Sequence, residues 1–391
     1  MMRFFFIAKR FLNSNKGTGK LTGIVSTLGI TIGCFALIIS VAVINGFKSE
    51  VNNKIKDFEG DIKISGTRLS DDLTVFEGMS EIKIASPNRE RRGVVINGSK
   101  RKVVTFKEIN PNIIRHFYKV PIIGAYPNNE QVLVGYDIAS RLDIKVGDEI
   151  IISSPLDQKM TLGFLPSKKL QVSGLFHSKI LDYDNRFVFI PQNIGRKLFA
   201  RKNQINAIDI KIKNQEKIMI VKKELIQSFG DNIKIESWKD RHSTLVKAMN
   251  MEKIGSMIIL SLIILVASFN MMATLSLITI KKIKDIGILR VLGFKIIDIQ
   301  KVLFSQAIII GGKGTFFGIF FGVFIVFLQN WLGFIKLPSD IYAIDLLPMS
   351  LTFFDVVIIT LISLTLIIIP GFFSARKVSN LKPMKAIRWV K

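Results

Sequence analysis

Three histidines carry the most versatile side chains in this 391-residue chain, and they stand far apart at His116, His177 and His242. None has a second ligand at metal-binding spacing. Asp182 and Asp184 in LDYDN could pair as carboxylates, although the same residues suit a solvated turn ahead of a strand. The sequence holds no Gly-x-Ser-x-Gly, no His-Glu-x-x-His and no Gly-Lys-Ser/Thr phosphate loop. ATP-driven work by this chain must therefore draw on an ATPase in another subunit. The expectation is a non-catalytic protein with no metal and no cofactor of its own.

Three other places carry binding chemistry, because apolar side chains stand where water would be expected. The stretch 281–298 (KKIKDIGILRVLGFKIID) is too apolar for a solvated turn and too charged for a bilayer. Ile283, Ile286, Leu289 and Leu292 recur at helical spacing, with Asp285 and Arg290 on the polar side. Such a helix either lies on the membrane surface or seats in a partner's groove. The stretch 159–169 (KMTLGFLPSKK) has an apolar tip of Leu162, Gly163, Phe164, Leu165 and Pro166 between lysines. It is either a plain long hairpin or a recruiting surface. Asn45-Gly46-Phe47 closes the first apolar run as a break where the apolar helix turns into a polar stalk, which Phe47, Val51, Ile55 and Phe58 continue at helical spacing. It is expected to leave Ile44 and Phe47 facing a lateral opening.

The elements that must position these residues are legible in the hydropathy. Apolar runs at 21–46, 254–280, 302–332 and 351–373 are each long enough to cross roughly 30 Å of hydrocarbon at about 1.5 Å per residue. The fold class expected is a membrane protein of four transmembrane helices, with a large periplasmic α+β domain (47–253) inserted between the first and second. An interfacial helix (1–20) precedes them, a coupling segment (281–301) and a short outer loop (333–350) connect them, and a tail (374–391) follows. Basic residues crowd 1–20, 281–301 and 374–391, whereas 333–350 is slightly acidic. That bias places both termini and the coupling segment in the cytoplasm.

The formal charge of +25 does not call for nucleic acid. Residues 48–253 hold 36 Lys and Arg against 25 Asp and Glu, scattered without aromatic interleaving, and the rest of the excess follows the topology. A basic outer face near anionic head groups is the simpler reading. Cys34 stands alone mid-span as a small packing residue. The insert reads as strands at 61–65, 81–86, 102–107, 131–134, 149–153, 170–176, 187–190 and 208–213, with short helices at 136–142, 193–200 and 215–229 laid on mixed sheets. Asn97-Gly98 predicts a hairpin between 94 and 104, and 237–253 predicts an unbroken helical stalk into the second span. Ser26, Gly29, Gly33, Ala36 and Ser40, and Gly314, Gly318 and Gly322, form small-residue faces that serve either packing inside the chain or contact with a second copy.

A family resemblance rests on specific residues. KDIGILRVLG (284–293) resembles the coupling segment of FtsX and MacB superfamily permeases, and 370–388 (PGFFSARKVSNLKPMKAIR) resembles their C-terminal signature. FIAKRFL (6–12), VSTLGITIG (25–33), VINGFKSEV (43–51) and LDIKVGDEIIIS (142–153) resemble the LolC/LolE family of lipoprotein-releasing permeases. The resemblance implies an inner-membrane ABC permease subunit that pairs with a second permease copy or paralogue and two ATPase subunits, which bind the ATP. It would contact membrane lipids and lipoprotein clients through Ile44, Asn45 and Phe47, and dock its ATPase through Asp285, Ile286, Leu289, Arg290 and Leu292. Residues 159–169 resemble the hook that seizes a periplasmic lipoprotein carrier. A MacB-like mechanotransmission exporter and an FtsX-like regulator of a cell-wall hydrolase are the alternatives.

Overall fold

A computed structural model describes residues 2–13, 18–69, 76, 78–154, 167–198, 205–229, 233–338, 344 and 346–379. In chain order the helices are α1 (Met2–Asn13), α2 (Thr18–Glu59), α3 (Pro111–Phe117), α4 (Tyr136–Leu142), α5 (Leu181–Asp184), α6 (Gln192–Leu198), α7 (Ile218–Phe229), α8 (Trp238–Arg241), α9 (Ser243–Lys281), α10 (Ile283–Val291), α11 (Ile296–Leu332) and α12 (Phe353–Ser379). The strands are β1 (Ile62–Leu69), β2 (Ile82–Asn97), β3 (Lys100–Ile109), β4 (Ile122–Gly124), β5 (Gln131–Gly135), β6 (Glu149–Ser153), β7 (Ser167–Phe176), β8 (Phe187–Pro191), β9 (Ile205–Ile212) and β10 (Lys234–Ser237). The chain divides into two compact units, 1–49 with 247–391, and 50–246.

In the unit 50–246 the expected mixed sheets with helices laid on them give way to a barrel. β2 pairs with β3, β3 with β8, β8 with β5, β5 with β7, β7 with β6, and β6 returns to β2. The cause lies in β2, which the sequence pattern splits into two short strands but which runs unbroken for 16 residues. Its first half pairs with β9, continuing through β1 to β10, while its second half joins the barrel. Gly93 permits the turn of the strand, since a Cβ there would stand 2.5 Å from the Ser153 carbonyl oxygen. The Asn97-Gly98 hairpin is present, with Asn97 opposite Lys100 and Gly98 at φ 57°. Val95, Phe106, Val132, Val134, Ile150, Ile152 and Val188 fill the barrel. Ile62, Ile64, Ile208, Ile210, Val221 and Leu225 form the core under the open sheet. The expected unbroken stalk is interrupted: Ser237 and Asp240 cap α8 reciprocally, and His242 separates it from α9.

The other unit contains a helical bundle. Among the described residues, four helices are long and apolar enough to cross a membrane. The small-residue faces are spent inside the chain. Cβ atoms added at Gly314, Gly318 and Gly322 of α11 would stand 2.9, 2.6 and 2.7 Å from Ile30, Cys34 and Ile38 of α2. Gly33 meets Ile264 of α9 in the same way, at 2.7 Å. These seams let backbones approach closely where the hydrophobic effect offers little between helices in lipid. Hydroxyl contacts add to them, with Ser26 and Thr274 at 3.1 Å and the Cys34 thiol donating to Ser363 at 3.2 Å.

Candidate functional site

At one end of the bundle, α10 follows α9 after a single intervening residue, Lys282. Gly293 at φ 95° ends the segment, and α11 then begins at Ile296, earlier than the 302 expected for the third span. Asp298 accepts the Lys295 N–H at 3.0 Å and caps α11. The sequence reading put Ile286, Leu289 and Leu292 on one partner-facing stripe; the structure separates them. Ile286 is 9% exposed and packs on Ile299 and Leu303 of α11, with Phe11 of α1 beside it. Leu289 and Arg290 are half-buried, and Asp285 pairs with Lys282 at 3.0 Å. Of the expected stripe Leu292 stays outward (72% exposed), and the apolar residues exposed with it are Ile288, Val291 (89% exposed) and Ile297. The shift arises because α10 must pack its own anchor on α11 before it can offer anything to a partner.

At the other end, Asn45-Gly46-Phe47 does not break the helix. α2 runs continuously through it, and Gly46 lets the backbone at Pro348 lie against the helix. Asn45 is half-buried and spends both ends of its amide inside the bundle. Its amide donates to Asp355 Oδ2 at 2.9 Å and its carbonyl accepts from Lys253 Nζ at 3.0 Å. Lys253 in turn reaches Asp355 Oδ1 at 2.8 Å, and Thr352 Oγ1 donates to Asp355 Oδ2 at 2.6 Å. This triad ties α2, α9 and α12 together. A carboxylate buried at a helix end requires that pairing. Sequence reasoning missed Lys253 and Asp355; the signal available was Asp355 as a lone charge among the apolar residues of its span. Ile44 is half-buried and Phe47 exposed. Between α11 and α12 lies a cavity of about 650 Å³ lined by Phe316, Phe320, Phe324 and Phe327, with Thr315 and Thr360.

The tip Leu162, Gly163, Phe164, Leu165 and Pro166 lies outside the described residues. Its two anchors are described: β6 and β7 pair antiparallel with Ser153 opposite Ser167.

Within 50–246 the buried polar residues form a clamp between the barrel and the open sheet. Lys107 Nζ meets Asp209 Oδ2 at 2.6 Å and Glu90 at 3.4 Å, and Asn88 donates to Asp209 at 2.9 Å. Burial alone would lower the Lys107 pKa, but Asp209, Tyr118 and Glu90 outweigh it and hold it well above the ordinary value. Burial pushes the Glu90 carboxyl up, yet Lys107 and Lys63 prevail and hold it at about 2. Glu59, at the end of α2, accepts from Tyr183 Oη at 2.7 Å and lies 3.1 Å from Arg241 and 3.0 Å from His242. Among the described residues no group of three His, Cys, Asp or Glu could hold a metal ion.

Residues 24–228 match the family model of the MacB-like periplasmic core domain. The chain belongs to that family. Residues 257–383 match a second model, the FtsX-like permease C-terminal region. The MacB-like domain match thus takes in the barrel and the open sheet except β10, and the FtsX-like match takes in most of the α9–α12 region. Among curated relatives, the lipoprotein-releasing system transmembrane protein LolC of Neisseria meningitidis serogroup B is 26% identical, over 98% of this chain and 98% of its own. The corresponding LolE of Haemophilus influenzae is 24% identical over the same shares. Among solved structures, the periplasmic region of MacB from Actinobacillus actinomycetemcomitans aligns at 12% identity and a TM-score of 0.36, over 50% of this chain and 97% of that one.

Proposed function

We propose that this MacB-like family member is the permease subunit of an ATP-driven transporter that extracts lipoproteins from the inner membrane and hands them to a periplasmic carrier. The observation that carries the reading is similarity to LolC and LolE proteins along 98% of the chain, through both matched regions. In this reading the chain is a multi-pass inner-membrane protein with both termini cytoplasmic and the MacB-like domain periplasmic, between the first and second spans. Each buried methylene of an acyl anchor resists extraction by about 0.8 kcal/mol, so moving several chains demands an external energy source. The ATPase is a separate subunit, present twice beside a second permease.

The residues support a division of roles. Ile288, Val291, Leu292 and Ile297 offer an apolar edge to the ATPase, with Arg290 beside it and Ile286 anchoring the edge from within. Phe47, exposed next to the Asn45–Lys253–Asp355 triad, is the position best placed to meet an acyl chain, with Ile44 behind it. Opening a lateral path beside α2 requires the triad to part. Leu162 to Pro166 would recruit the carrier from the end of the β6–β7 hairpin. Reconstitution with the ATPase, a lipoprotein and a soluble carrier tests the function. ATP-dependent transfer of lipoprotein to the carrier is expected, and deleting 161–166 should abolish it while assembly and ATPase activity persist. Transfer at the parental rate after the deletion would assign the carrier to another surface. ATP-dependent export of a soluble peptide or drug without lipoprotein transfer would favour a MacB-like exporter instead.

A further inference from the structure

In the unit 50–246, a cavity of about 550 Å³ lies where the end of α2, the start of β2, α3 and the end of β9 converge. Its walls carry five permanent cations, Lys56, Lys83, Arg115, Lys119 and Lys211, with His116 at the rim, against two carboxylates, Asp57 and Asp61. The carboxylates do not neutralise the group. Asp57 stands 3.8 Å from Lys211, and burial pushes the Asp61 carboxyl up while the Ile212 N–H donates to it at 3.0 Å. Lys211 spends its ammonium on the carbonyl of Phe117, and Lys56 spends its own on Gln215. Burial lowers the Lys211 pKa; Asp57 and Asp61 oppose that shift without cancelling it, and the positive charges of Lys119 and Lys83 add to it. Arg115 lies over the Tyr126 ring, its Cζ 4.8 Å from the centroid, which helps hold its guanidinium. Lys83, Arg115 and Lys119 are exposed, and no ion pair within the described residues occupies them.

Cations gathered this closely in a concave wall repel one another unless an anion joins them. A planar guanidinium beside several ammonium groups suits a compact anion with several acceptor oxygens and more than one charge. We propose that this cleft is a phosphate-binding site, taking a phosphoryl group either from a lipid head group or from a free phosphate. Lys83, Arg115 and Lys119 would supply the direct contacts, while Lys56 and Lys211, held by their own acceptors, would supply the field behind them. None of its lining residues belongs to the Glu90–Lys107–Asp209 clamp.

The test uses the full chain purified in an uncharged detergent. In one arm, inorganic phosphate replaces chloride at constant ionic strength while thermal unfolding is followed. In the other, phosphatidylglycerol is added and the retained lipid is counted by native mass spectrometry. Both arms compare the parent with Lys83→Gln/Arg115→Gln/Lys119→Gln, whose positions are exposed and outside the cores. Losing one charge-assisted contact to phosphate weakens binding by about tenfold, so the triple variant should show none. Stabilisation by phosphate in the parent alone assigns a free anion, and lipid retention in the parent alone assigns a head group. Both together assign the shared phosphoryl chemistry. Equal behaviour of parent and triple variant in both arms overturns the site. A Lys83→Arg/Lys119→Arg variant, which keeps the charge, should bind like the parent, and its failure to do so would equally overturn a charge-based site.

Discussion

Val291→Asp and Ile286→Ala, made in parallel, separate what α10 does for its own chain from what it does for a partner. Val291 is 89% exposed, so a charge there removes no internal contact. Surface substitutions of that kind stay within about 0.5 kcal/mol of parental stability. If Val291 seats in an ATPase, burying a carboxylate in an apolar contact costs on the order of 2 kcal/mol, or about a thirtyfold loss of affinity. Ile286 is different: 9% exposed, it touches Ile299 and Leu303. Truncating it removes about three carbons from a small cluster, and buried Ile-to-Ala changes cost about 2–5 kcal/mol. The lower end applies here, because only those few apolar neighbours line the site. The assay is the ratio of ATPase to permease after co-purification, with the thermal midpoint of the permease alone measured alongside. Val291→Asp should lose the ATPase at an unchanged midpoint, whereas Ile286→Ala should lower the midpoint first. Stoichiometric ATPase on Val291→Asp, stimulated as in the parent, would refute the outward edge as the docking surface.

Asp355→Asn should destabilise the bundle by about 1–3 kcal/mol, since it leaves the Lys253 ammonium part-buried without its carboxylate. The exchange Lys253→Asp/Asp355→Lys should recover part of that loss in detergent melting curves, and no recovery would mean the triad is not an electrostatic tie. Gly318→Leu should cost about 1–3 kcal/mol by forcing α2 from α11, because a Cβ there would already stand 2.6 Å from Cys34. Gly312→Leu, with nothing within 4 Å, is the control, and equal melting of the two would rule out the seam. Glu90, held at about 2 against an ordinary 4.5, adds stability that is fully present above the ordinary value and is lost as pH falls towards about 2. Glu90→Gln should flatten that acid limb, followed by Trp238 fluorescence, by on the order of 2 kcal/mol; an unchanged limb would remove Glu90 from the clamp.

By itself the sequence determined whatever depends on short stretches of chain. Four apolar runs define four long helices because span length is a count of residues against bilayer thickness. Asn97-Gly98 sets its hairpin because the turn needs a left-handed residue where it stands. The coupling and C-terminal signatures are legible because each is contiguous, and the coupling segment falls within the region that matches the FtsX-like model. Tertiary structure decided what depends on partners distant in sequence. The barrel closes only because one 16-residue strand serves two sheets, and no local alternation reports a strand's second neighbour. Ile286 falls on the stripe that periodicity marks and Val291 falls off it, yet the marked residue is anchored on α11 and the unmarked one faces outward, since periodicity gives the face but not its occupant. Asn45-Gly46 reads as a break because both residues favour turns; inside the bundle, Asp355 and Lys253 satisfy the amide and Pro348 fills the space beside the glycine, so the helix continues.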